Sequence, residues 1–146
     1  MKASKFFSPE QEKQIIEAIG KAEMQTSGEI RVHIEDSCKG NTLDCAANIF
    51  AKLKMHKTAE RNGVLFYLAP DSKQFAILGD AGINTKVPGD FWEKIKSDMQ
   101  ECFKTGAFTQ GLVNGILAAG EQLKVHFPRK HDDVNELSNE ISFGHD

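Results

Sequence analysis

The run Gly63-Val64-Leu65-Phe66-Tyr67-Leu68-Ala69 constrains this chain more than any other segment. It is unbroken by charge, as expected of a central strand covered on both faces. Such a strand needs a layer of chain on either side. The 146 residues suffice for one domain with one real core. The expectation is a single α/β domain, a three-layer α/β/α sandwich around a short mixed sheet, over residues 1–127.

The flanking segments fit that plan. Glu29-Ile30-Arg31-Val32-His33-Ile34 alternates strictly and reads as a strand buried mainly through Ile30, Val32 and Ile34. Pro70-Asp71-Ser72-Lys73 is turn chemistry, so Gln74–Leu78 returns as an antiparallel hairpin partner. Before them, Ser8-Pro9-Glu10-Gln11 signs a helix start with cap, first-turn proline and capping-box glutamine. Ile15, Ile16, Ile19 and Ala22 give that helix its apolar face. A second helix from Thr42 carries Ala46, Ile49, Phe50 and Leu53. Residues 79–89 read as a Gly/Asn/Pro loop, after which Asp90 caps a helix bearing Ile95, Met99 and Cys102. Gly106 stops it, and Thr109 opens the last helix, with Leu112, Val113, Ile116, Leu117 and Leu123 inward. Residues 128–146 form an acidic, loosely attached tail.

A formal net charge of −3 argues against nucleic acid, whose binders neutralise phosphate with a basic surface. No apolar stretch has signal-peptide or membrane-span length, so no membrane is expected and the chain reads as cytoplasmic. Cys38, Cys45 and Cys102 are odd in number and lack CxxC spacing, which suits free thiols in a reducing setting rather than zinc.

Strand direction decides where polar groups meet. Strands at 29–34 and 63–69, joined through a helix, should be parallel. The third strand runs back, so its end lies at the rim where the other two begin. That rim gathers Glu29, Glu60, Asn62, Asp80 and Asn84, with Asp90 on the following loop. The opposite rim collects Glu35, Asp36 and Asp71, with Asp44 nearby. Carboxylate and amide oxygens without histidines suit a hard divalent cation, calcium before magnesium. The blander account is solvated carboxylates, turn chemistry at Asp71 and capping at Asp90.

Other candidates are weaker. No phosphate loop or GxSxG elbow is present. His33 projects opposite the strand's apolar face, His56 follows a helix end, and Cys38 has no identifiable partner histidine. Arg61 could meet an anion, though a surface role is commoner.

The segments Ser27-Gly28-Glu29-Ile30-Arg31-Val32, Arg61-Asn62-Gly63-Val64-Leu65 and Gly79-Asp80-Ala81-Gly82-Ile83, in this order within residues 8–127, resemble the TPM domain family. The resemblance implies an α/β/α sandwich and divalent-cation binding. Some plant members are described as acid phosphatases, and many members are exported and membrane-anchored. This chain departs where exported members often carry Gly-aromatic-Gly, having Gly79-Asp80-Ala81-Gly82 instead.

Three functional expectations result. The first is a non-catalytic, calcium-type binding or regulatory module whose rim loops are ordered by the ion. The second is a metal-assisted phosphomonoester hydrolase, with Asp80 as ligand or base and Arg61 steadying the anion. The third is a metal-free domain docking on an unidentified protein partner through its acidic tail.

Overall fold

Ser8 starts the first helix as its sequence predicts. Its hydroxyl accepts the Gln11 N–H at 3.2 Å, and the Gln11 side chain accepts the Ser8 N–H at 2.9 Å. The computed structural model describes residues 2–129 and 136–144. Its elements are α1 (Pro9–Glu23), β1 (Glu29–Ile34), α2 (Thr42–Lys52), β2 (Gly63–Ala69), β3 (Gln74–Gly79), α3 (Ala81–Asn84), α4 (Glu93–Lys104), α5 (Phe108–His126) and β4 (Ser142–Phe143).

The sheet order is β3-β2-β1-β4. β1 and β2 are parallel, with Glu29 opposite Gly63, and β3 returns antiparallel with Gly79 opposite Val64. Every residue of β2 is buried, because helices cover both faces. On one face Ile30, Val32, Ile34, Val64, Phe66 and Ile77 pack with residues of α1, α4 and α5. On the other, Leu65, Tyr67, Ala69 and Ala76 meet Ala46 and Phe50 of α2 and Met55 beyond it. The result is the expected three-layer α/β/α sandwich. Each fully buried large apolar side chain adds roughly 1.5–3 kcal/mol, so the two-sided β2, with Leu65, Phe66, Tyr67 and Leu68 buried, is a substantial source of core stability. Close helix packing helps: a Cβ on Gly120 of α5 would lie 2.7 Å from the Ala22 methyl of α1.

Four expectations change. The loop after β3 contains the short helix α3, capped by Asp80, whose side chain accepts the Ala81 N–H. Asp90 does not cap α4. Its carbonyl accepts the Glu93 N–H in a turn at 3.1 Å, and the helix begins only at Glu93, after Trp92. Cys38 and Cys45 are not free thiols but a disulfide with a Cα–Cα distance of 6.2 Å, leaving Cys102 free. The capped start of α2 brings Cys45 back over the loop that carries Cys38.

The fourth change concerns the tail. Residues 130–135 and 145–146 lie outside the described residues, but 136–144 run along the outer edge of β1. Ser142 and Phe143 pair with His33 and Ile34 as the parallel strand β4, and the Gly144 N–H reaches the Ile34 carbonyl at 2.8 Å. Ile141 is buried in the main core. Three apolar residues and the unsatisfied backbone of an edge strand hold this segment in place.

Candidate functional site

The backbones of the first rim meet as strand direction predicts. The Glu29 N–H donates to the Asn62 carbonyl at 3.2 Å, and the Asp80 N–H to the Gly63 carbonyl at 3.0 Å. The side chains then divide into two groups with different chemistry.

Asp80 belongs to the first group. It is 6% exposed, and Arg61 grips it with two bonds, Nε to Oδ2 at 2.8 Å and Nη2 to Oδ1 at 2.9 Å. Oδ1 also accepts the Ala81 N–H at 2.7 Å. Such a bidentate, charge-assisted pair occupies the lone pairs a cation would need. Two backbone features permit it. Arg61 has φ +52°, in the left-handed region, which turns its side chain back toward β3. Gly82 lets α3 lie directly on residues 60–61, because an added Cβ would stand 2.1 Å from the Glu60 carbonyl oxygen. Asn84 is exposed and donates to the Gly79 carbonyl at 3.3 Å, while Asp90 is exposed on the next turn.

Glu29 heads the second group. It is 3% exposed at the start of β1, and its Oε1 accepts the Leu137 N–H. Its Oε2 is buried without a hydrogen-bond partner. Beside it lies the carboxylate of Glu136, which accepts the Ala59 N–H at 3.0 Å. Burial first, and the Glu136 charge after it, push the Glu29 carboxyl up to about 7 against an opposing bond from Leu137. Asn62, 1% exposed, donates to the Ser27 carbonyl at 3.2 Å and leaves its Oδ1 buried and unpartnered. Glu60 accepts from the Ser27 hydroxyl at 3.3 Å. The rim therefore carries two orphaned buried oxygens beside a pair of adjoining carboxyls. Among the described residues no three His, Cys, Asp or Glu side chains are grouped to hold a metal.

At the second rim the carboxylates of Asp36 and Glu35 act as fasteners. Asp36 accepts the Ala3 N–H and holds the N-terminal segment, while its carbonyl accepts the Asp71 N–H at 3.2 Å. Asp44 is exposed in the first turn of α2, its N–H bonded to the Asn41 cap. Glu35 accepts from His33 Nε2 at 2.7 Å, and the other His33 nitrogen lies 2.7 Å from the Ser142 hydroxyl. Burial, outweighing Glu35, lowers the His33 pKa and so favours the neutral ring. Nε2–H then donates to Glu35, and Nδ1 accepts from Ser142. A serine–histidine–carboxylate order is also that of an acyl-transfer triad. Here it lies along the β1–β4 seam and clips the strands together.

Sequence reasoning missed Glu136, Ser142 and Glu23. Glu23, at the end of α1, is buried and accepts the Ile30 N–H at 2.9 Å, and burial raises its carboxyl to about 7. All three line the β1 edge. The available signal was the shared parity of Leu137, Ile141 and Phe143, a period-two pattern inside an acidic segment.

Comparison with known proteins agrees with this architecture. The chain is similar to the BA42 protein from the psychrophilic bacterium Bizionia argentinensis at 48% identity, over 98% of this chain and 99% of that one, with a TM-score of 0.92. The N-terminal domain of a protein from P. gingivalis shares the fold at 20% identity and TM-score 0.70, over 88% of this chain and 84% of that one. The N-terminal domain of the cg2496 protein from Corynebacterium glutamicum does so at 12% identity and TM-score 0.64, over 97% and 83%. No curated protein matches. The model of the TPM domain matches residues 1–122, and the chain belongs to the TPM domain family.

Proposed function

We propose that this chain is a non-catalytic, divalent-cation-binding module of calcium type, with its cation at Glu29 and Glu136. The observation that carries the reading is the buried Glu29 carboxyl, its Oε2 without a partner and a second carboxyl beside it. Two adjoining carboxyls need either a shared proton or a cation. The donors are hard oxygens, which favour calcium or magnesium over zinc or copper. Asn62 Oδ1 is a further candidate donor at the same rim. Two carboxylates supplemented by neutral oxygens and water correspond to weak sites, with Kd on the order of 10⁻⁴–10⁻³ M. The ion would tie the 136–144 segment to the start of β1.

Amide chemical shifts recorded during calcium and magnesium titration test the reading. The expected result is saturable movement at residues 29, 59–62 and 136–137, abolished in Glu29→Gln and weakened in Glu136→Gln. Absence of movement at millimolar calcium would remove the proposal. The phosphomonoester hydrolase draws no support from the arrangement, because Arg61 and Asp80 occupy each other. The partner-docking expectation loses residues 136–144, which are laid on the sheet. No described helix is long and apolar enough to cross a membrane. Cytoplasmic placement rested partly on free thiols, and the Cys38–Cys45 bond withdraws that support.

A further inference from the structure

At the opposite end of β2 from Glu29, four phenylalanines form a connected run. Phe75 of β3 meets Phe103 of α4 edge-on at 4.9 Å between ring centres. Phe103 stacks with Phe108 of α5 at 5.4 Å, and Phe108 meets Phe6 of the N-terminal segment edge-on at 5.2 Å. None of the four is fully buried. Together they line a cavity of about 580 Å³, open to solvent, whose margin carries the exposed ammonium groups of Lys73 and Lys104. Four separate parts of the chain thus supply one aromatic wall. The four rings are partly buried against the core and turn their remaining surface toward the cavity. Its size falls within the range of small-molecule sites, which pair an apolar body with a few placed polar groups.

We infer that this cavity binds a small organic anion with a flat aromatic body and a carboxylate head. The rings supply offset and edge-on partners for an aromatic body. The two lysines supply the charge complement for the head. Lys104 is only loosely engaged, 3.4 Å from the exposed Glu101 carboxylate, an interaction too weak to hold it from a ligand.

The test is titration of the full chain with 2-naphthoate and, separately, with the uncharged 2-naphthylmethanol, followed by amide chemical shifts. The expected result is saturable movement at Gln74, Phe75, Phe103, Lys104 and Phe108, with the acid at least about 5-fold tighter than the alcohol. The Lys73→Gln/Lys104→Gln double variant changes exposed positions only and should abolish that preference while leaving alcohol binding within about twofold. Equal affinity for acid and alcohol, or shifts confined to other residues, would overturn the inference. So would movement of the same resonances on protein concentration alone, which would mark a second copy seated on the rings.

Discussion

Replacing Glu29 by glutamine should make this protein more stable at alkaline pH while leaving it nearly unchanged in acid. In the unfolded chain the carboxyl titrates near its ordinary value of 4.5, whereas in the fold burial and Glu136 hold it near 7. The folded state therefore binds more protons between those values, and stability falls as pH rises through 7. The stabilising contribution is complete below about 4.5 and lost above 7. At 1.36 kcal/mol per pH unit, the interval from 4.5 to about 7 sets an upper bound between about 3 and 4 kcal/mol. Urea denaturation in EDTA, at pH 5 and pH 8, reads the effect as a change in midpoint at constant slope. Glu23 shifts in the same direction, but it is present in both proteins and largely cancels from their difference. The variant should gain at least about 1 kcal/mol over the parent between pH 5 and pH 8. A difference independent of pH, or one growing in the parent's favour at pH 8, would refute the claim that an ionised Glu29 is uncompensated.

Three further outcomes follow from other parts of the fold. Gly82→Ala should cost about 3 kcal/mol, at the upper end for overpacking, since the methyl meets the backbone of residues 60–61; an unchanged urea midpoint would contradict this. Reducing the Cys38–Cys45 bond, which spans seven positions, should lower stability by about 2–3 kcal/mol on the chain-entropy model, and a Cys38→Ser/Cys45→Ser variant should ignore reductant. Ser142→Ala should leave global stability within about 1.5 kcal/mol but accelerate amide exchange at Gly144, whose bond to Ile34 depends on the β4 clip. Unaltered exchange there would show that His33 does not hold the strand.

Much of the scaffold was legible in the sequence because its signals are local. Periodicity marked β1, the apolar run marked β2, and the turn residues marked the hairpin whose direction brings Asp80 to Asn62. The Ser8–Gln11 box needed only four residues. What escaped depends on contacts distant in sequence or on backbone conformation. Asp80 looked like a metal ligand because its pairing with Arg61 requires a left-handed residue, and nothing in an arginine's identity announces positive φ. Asp90 sits where a cap would, but a turn through Pro88–Phe91 delays the helix to Glu93. β4 has two residues, and the period-two spacing of Leu137, Ile141 and Phe143 is diluted by the acidic and polar residues around it, which hides that Glu136 lies against Glu29. Cys38 and Cys45 carry no motif, and only the chain's return through α2 joins them.

Calcium binding followed calorimetrically at pH 7, in two buffers of different ionisation enthalpy, tests the central claim most directly. A carboxyl raised to about 7 is partly protonated at that pH, so the ion must displace a proton to use it. Release of a fraction of a proton per calcium, absent in Glu29→Gln, is the predicted result. Heats that are identical in both buffers, or no heat at all, would contradict it.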